Sequence, residues 1–560
     1  MASIVGKRIS GHTYYYLREM ARVGGKPKMV SERYLGKAAD IEAAMDGASV
    51  EPERTRHLAF GDLAAVWAVL ERIDVAGIVD AVVGSRRSDA GASVGTYLAL
   101  ATANRVVDPC SKLAFAQWWA TTAADRWVHV PTPALDHRRF WDAMGALGAT
   151  ELTEIERRIT ARVVEGFGID LRGLVLDMTN FATYIDSAND RAPIAQRGHA
   201  KQKRTDLRLV GLGLVVSTDG AIPLLSHTYA GDRPDVTQFP GMVNELVERW
   251  GALAACTDDL TLVYDAGQDS VANQALIDAG PLHHIGSLPP SDFPQLLAVP
   301  ASRFEPVGDP YPGVTAHEAR GVALGVERRL IVTHSPTLHA KQVAGFTQTL
   351  TKAGRCLSEL AERLARGKTR RRRDAVEAEI ARICAPRWVS RVITTTLTGD
   401  DPADLRLTWK IDTKARRALE AEQFGKRILF TDHHDWVPAQ VIAGYRSQSE
   451  VESDFRQMKD HDVVGFSPMF HWTDQKIHVH AFYCVLALTV ARLLRRQAAR
   501  AGHAMSVREL LATLAGIQET VLIYPSTGGR PRARRMTTEM STLQRQLHDL
   551  FGLAAYAPKR

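Results

Sequence analysis

The chain has 560 residues, of which 45% are hydrophobic and 24% charged, and a formal net charge of +7. These values describe a globular protein of three or four domains and exclude a collagen-like, low-complexity or disulfide-framed chain. The five cysteines (Cys110, Cys256, Cys356, Cys384, Cys484) show no zinc or disulfide spacing, and with no secretory pattern at Met1–Gly11 this fits a reduced cytoplasm.

In chain order, His12–Leu17 and Lys28–Tyr34 are β-rich and flank a Gly24-Gly-Lys-Pro turn. From about Phe60 to Gly168 apolar residues recur at three- and four-residue steps, predicting helices. The pattern changes at Leu171. Leu174–Met178, Leu207–Ser217 and Ala221–Tyr229 read as strands, the last two joined by a Thr218-Asp-Gly turn. Val236–Trp250 reads as a helix, Leu260–Asp265 as a strand, Ser270–Asp278 as a helix and His284–Leu288 as a strand. The order is β-β-β-α-β-α-β. Residues 290–435 leave this rhythm, with a charged helical region at Ala340–Cys384 and a strand at Trp388–Thr396. Helices return from about Ser447 and over Gln475–Arg500. The longest uncharged apolar run, Ala481–Ala491, is too short to span a bilayer and reads as part of a buried helix; no membrane partner is expected.

Two aspartates close short apolar strands, Asp177 after Leu174-Val-Leu and Asp265 after Leu262-Val-Tyr. Ligands of open α/β sheets bind outside the carboxyl ends of the strands. On neighbouring strands, about 4.8 Å apart, both carboxylates would reach one point and offer the oxygen ligands that hard divalent cations take. An Asp after a strand is equally a turn or cap residue. Glu452 falls in the segment Gly444–Lys459. On a helix at about 100° per residue it shares an arc with Gln448, Phe455 and Lys459, while Glu450 and Asp454 point away. Ser449-x-x-Glu452 and Ser447-x-x-Glu450 each also fit a capping box.

These motifs together resemble DDE transposases. Gly444-Tyr-Arg-Ser-Gln-Ser-Glu-Val-Glu-Ser-Asp-Phe-Arg-Gln-Met-Lys459 is similar to the Y-x2-R-x3-E-x6-K signature of the IS-four group, with Tyr445, Glu452 and Lys459 on its positions and Gln448 in place of its Arg. Arg446 or Arg456 could substitute for that Arg. Asp177-Met-Thr-Asn resembles the segment around the first catalytic Asp, and Asp265-Ala-Gly the second. Arg197–Leu207 and His471–His480 resemble stretches of the IS-sixteen-thirty-four-like branch. The resemblance implies an α+β fold with an RNase H-like catalytic core, interrupted by a long, largely β insertion that helps hold the transposon end. It implies a catalytic and metal-binding set of Asp177, Asp265 and Glu452 around two Mg²⁺ ions (Mn²⁺ as a substitute), separated by about 3.5–4 Å in such sites. It also implies DNA contacts from Tyr445, Arg446, Gln448, Arg456, Lys459, His199, Lys201, Lys203 and Arg204. Binding to terminal inverted repeats and to target DNA, and a homodimeric synaptic complex in the bacterial cytoplasm, follow from the same resemblance.

The expected division is 1–55, β-rich; 56–168, helical and end-binding; 169–290, first part of the core; 291–437, insertion; 438–502, second part of the core; 503–560, a helical tail. Basic clusters at Arg363–Arg373, Arg191–Arg208 and Arg530–Arg535 suit DNA phosphates and equally suit solvated faces. His478 and His480 lack a third metal ligand and read as core or surface histidines. Two other readings stay open: an RNase H-like nuclease that cuts without joining, and a domesticated, non-catalytic DNA-binding protein.

Overall fold

The computed structural model describes residues 2–23, 26–45, 51–84, 91–186, 188–198, 206–251, 260–367, 371–525 and 532–559. His199, Lys201, Lys203 and Arg204, the Gly24-Gly25 turn, Cys256, Arg370 and Arg530 lie outside the described residues.

The fold is mixed α+β. Ala2–Ile9 (β1), His12–Val23 (β2) and Lys26–Gly36 (β3) form a three-stranded antiparallel sheet. The sequence reading missed β1, which is largely exposed and has no buried face to set a period. Arg54–Ala59 (β4) then leads into helices Gly61–Arg72, Val75–Val83, Val94–Val107, His137–Gly145 and Ala149–Phe167. Local chemistry sets their ends. Ser93 accepts from the Thr96 amide, Asp136 accepts from the Arg138 amide, and Gly168 closes the last helix at φ 57°. Several of these helices pack against Asp474–Arg500. By length and composition that helix could cross a membrane, but 94% of its apolar window is buried inside the protein.

The main sheet is built from Gly173–Thr183 (β5), Arg208–Ser217 (β6), Pro223–Ala230 (β7), Thr261–Val263 (β8), His283–Leu288 (β9), Glu305–Pro306 (β10), Thr315–Ala323 (β11) and Val326–His334 (β12). The ribbon Ile393–Thr398 (β13) and Arg406–Ile411 (β14) lies elsewhere, and Lys426–Thr431 (β15) returns to the main sheet. The strand order is β10-β11-β12-β15-β9-β8-β5-β6-β7. β6 runs antiparallel to both β5 and β7, whereas β5, β8 and β9 run parallel. Helix Asp235–Gly251 covers one face: Gly213 of β6 leaves room for Met242, whose sulfur would lie 2.4 Å from an added β-carbon.

Three expectations change. First, residues 291–437 are not one insertion, because β10, β11, β12 and β15 extend the main sheet. Only the stretch between β12 and β15 has its own core, around Leu350, Leu357, Leu360, Val376 and Phe424. That body is dominated by helices Pro336–Ala365 and Arg373–Cys384 rather than by strands. Second, the proposed strand at Trp388–Thr396 starts only at Ile393, after a helical turn at Val389–Val392. Third, the tail is not simply helical. Gln518–Tyr524 (β16) and Arg532–Thr537 (β17) form a hairpin, and β16 also pairs with β4. That pairing joins segments more than 400 residues apart, which no local pattern signals.

Candidate active site

β5 and β8 align Leu174 with Leu262 and Val175 with Val263. Two residues further, each strand reaches an aspartate, so the register carries Asp177 and Asp265 to one level on one face. Asp265 keeps an extended backbone, φ −96° and ψ 162°. The apolar runs before both residues are buried, which anchors the strands and leaves Asp177 half-buried and Asp265 exposed at their ends. β9 continues the row. Val263 faces Ile285, and Ser287 two residues on donates to Asp265 Oδ1 at 3.0 Å.

Asp265 also caps the short turn Ala266–Gln268, its Oδ1 accepting from the Ala266 amide at 2.8 Å. Capping this turn keeps the carboxylate at the strand end. Oδ1 of Asp265 is the atom that meets the Ala266 amide and the Ser287 and Tyr445 hydroxyls. Asp177 Oδ1 accepts from the Met178 amide at 2.7 Å.

Two short helices, Pro438–Arg446 and Gln448–Met458, cross this face with Ser447 between them. Gly444 permits the close approach, since a β-carbon there would lie 2.5 Å from Ile285 Cδ1. Tyr445, on the first helix, is buried. Its hydroxyl lies 3.0 Å from Ser287 Oγ and 3.3 Å from Asp265 Oδ1, and accepts from Arg427 at 3.1 Å. The second helix is fixed to β5 at both ends. Gln448 is buried and donates to the Leu176 carbonyl at 3.5 Å, and Lys459 Nζ donates to Thr179 Oγ1 at 2.8 Å. These contacts bracket Asp177. Glu452 sits one turn after Gln448 on the same stripe. It is exposed, with no hydrogen bond or ion pair among the described residues.

The capping-box alternative for Glu452 is not realised. Ser449 Oγ donates to the Arg446 carbonyl and Ser447 Oγ to the Gly444 carbonyl, so neither serine caps the helix. Glu450 and Asp454 occupy the opposite side. Asp454 is buried against Arg492, and Glu450 lies 3.4 Å from Arg495.

The structure also shows residues the sequence reading missed. Ser287 and Arg427 carry no local signal, because they join the site only through strand pairing. Asp269 had one, as a second aspartate four residues after Asp265. Both its carboxylate oxygens are buried without a hydrogen-bond partner. Burial first, then the charges of Asp265 and Asp292, push its carboxyl up to about 7.

Beside Glu452 opens a cleft of about 400 Å³, lined among others by Lys341, Arg427, Tyr445, Arg446 and Gln448. Its cations come from three separate segments, an arrangement suited to phosphate. Arg446 is exposed and stacks on Tyr311 at 4.1 Å, and Arg456 is exposed. Tyr445 and Gln448, expected to contact DNA, line this cleft while their polar groups bond to Asp265 and to β5. Within the Arg363–Arg373 run, the described arginines are paired: Arg363 and Arg371 with Glu379, Arg372 with Asp374, Arg373 with Glu377. His480 is buried between the Phe466 carbonyl and the Tyr483 hydroxyl, a packing role.

Asp177 and Asp265 at the strand ends, with Glu452 on the helix that crosses them, are carboxylates of the type that a hard cation such as Mg²⁺ takes as ligands. Their oxygens are not drawn as close together as the ligand atoms of His283, Asp432 and His433, which all lie within 4.8 Å of one another. That second group lies at the opposite, amino-terminal end of β8 and β9.

The sequence matches no protein-family model and no curated protein. Among solved structures, it is similar to a piggyBac transposase, seen by cryo-EM in a synaptic complex with hairpin DNA. The identity is 8% and the TM-score 0.39, over 83% of this chain and 82% of that one. A likeness at this level transfers no residue role.

Proposed function

We propose that the chain is a metal-dependent DNA transposase with an RNase H-like core, in which Asp177, Asp265 and Glu452 form the cutting and joining centre. The observation that carries this reading is the placement of Asp177 and Asp265 at one level of adjacent parallel strands, with the Glu452 helix pinned across them. The antiparallel trio β7-β6-β5 followed by parallel β8 and β9 is the strand order of the RNase H-like core, and the motif resemblance to IS-four transposases points the same way.

Divalent ions bound there would activate an attacking oxygen and stabilise the leaving one. This chain's own residues provide the frame. Ser287 and Tyr445 hold Asp265 by Oδ1, Gln448 and Lys459 fix the Glu452 helix, and Arg427, Arg446 and Lys341 offer charge to the phosphate backbone. On this reading the DNA consists of the terminal inverted repeats and a target site, the cations are two Mg²⁺, and a homodimer brings two ends together in the bacterial cytoplasm.

The test is incubation of the full chain with Mg²⁺ and labelled duplex carrying the sequences that flank its own gene. Strand cleavage and joined donor–target products are expected, and Asp177→Asn should abolish both while retaining binding. Nicks without joined products would instead identify a nuclease. DNA binding with no cleavage by the wild-type chain would favour a non-catalytic binder.

A further inference from the structure

We infer that the amino-terminal end of β8 and β9 holds a second metal site, for a nitrogen-preferring transition cation of the Zn²⁺ class. Antiparallel pairing sets Thr431 opposite Ile285, so the residues that follow bring Asp432 beside His284 and His433 beside His283. His283 Nδ1 lies 2.8 Å from Asp432 Oδ2, and the ligand atoms of His283, Asp432 and His433 fall within 4.8 Å of one another. Two imidazoles and one carboxylate are a zinc-type donor set, with a fourth position left for water.

The surroundings are those of an oriented ligand. His433 is buried, and its Nε2 is 2.8 Å from Thr261 Oγ1. Its ring stacks on Trp436 at 3.9 Å. A hydrogen bond on the far ring nitrogen is how proteins fix the tautomer of a metal-bound histidine. Asp432 is oriented by the His284 amide at 2.9 Å. The His284 Nε2 is buried with no hydrogen-bond partner, on a third imidazole beside the cluster.

The site is distinct from the carboxylate centre. Thr261 and Asp265 are four residues apart on an extended chain, or about 13 Å at 3.3 Å per residue. An ion here would tie β9 of the main sheet to the end of β15, where the chain returns from the helical body and turns towards the Glu452 helix.

The test uses the full chain with Co²⁺ as an optical probe, in millimolar Mg²⁺ to occupy the carboxylate centre. The wild type and an Asp177→Asn/Glu452→Gln double variant should both bind one Co²⁺ with the visible absorption of a nitrogen-containing site, and Zn²⁺ should displace it. His283→Gln, at a partly exposed position, should weaken Co²⁺ binding at least tenfold while the chain stays folded, and His433→Ala should abolish it. Zn²⁺ should raise the melting temperature of the wild type and the double variant, but not of His433→Ala. Absence of the absorption in the wild type, its loss in the double variant, or its persistence in His283→Gln would each overturn the inference. Because the double variant lacks the proposed cutting centre, failure of one site is read separately from failure of the other.

Discussion

The helix Gln448–Met458 presents two acidic faces with opposite treatment. On one, Asp454 is fully buried against Arg492 and Glu450 is flanked by Arg492 and Arg495. On the other, Glu452 is exposed and makes no ion pair among the described residues, at the edge of the cleft that Lys341, Arg427 and Arg446 line. A folding helix gains from neutralising its charges, and this one does so on the packed side only. On the proposed reading, that unpaired acid is kept for a cation. The contrast separates paired carboxylates from an unpaired one two residues away.

The largest expected effect is on the open face. Glu452→Gln should lower strand cleavage by about 10³-fold or more, as loss of a group acting on transition-state charge does, with an unchanged melting temperature. Normal cleavage by that variant would remove Glu452 from the centre. The packed face should respond in stability instead. Arg492→Ala leaves Asp454 buried and unpaired and should cost about 3–5 kcal/mol in urea unfolding. A loss under 1 kcal/mol would mean that Asp454 is protonated and needs no partner.

Tyr445→Phe removes the hydroxyl that steadies Asp265. Its effect should resemble that of other groups that orient metal ligands, about 10–100-fold in activity, with the half-saturating Mg²⁺ concentration raised. A reduced rate at unchanged Mg²⁺ dependence would place the hydroxyl on DNA instead.

Asp269 gives a pH test. Its folded-state pKa, about 7, lies above the ordinary 3.8, so the folded chain holds this proton more tightly than the unfolded one. Its contribution to stability is therefore greatest below pH 4, declines as pH rises through 7, and is constant above that. Asp269→Asn should be more stable than wild type at pH 8, on the order of 1–3 kcal/mol, with the difference vanishing near pH 4. An equal difference at both pH values would assign the effect to packing. The smallest effect belongs to Glu450→Gln, which should cost no more than about 1 kcal/mol, as partly exposed ion pairs do, and should cut at near the wild-type rate.

Much of this centre was legible in the sequence because its parts are local. Short apolar runs ending in Asp mark strand ends, and the spacing of Gln448, Glu452 and Lys459 marks one helical stripe. What escaped was set by long-range pairing. Ser287 and Arg427 reach the site only because β9 and β15 lie side by side, and the β4–β16 pairing spans most of the chain. Tyr445 was assigned to DNA by its motif position, but the helix break at Ser447 turns it onto Asp265. The extension of the sheet by β11, β12 and β15 was hidden because an entire helical body interrupts it.

That interruption has a consequence during synthesis. Asp177 and Asp265 emerge from the ribosome long before Glu452, whose helix can dock only after β15 has found β9. A nascent chain released early would hold two of the three acids and no docked third. On the proposed function, translation would complete the three-acid set only once the Glu452 helix has been made, so that products aborted before it would leave the DNA around them uncut.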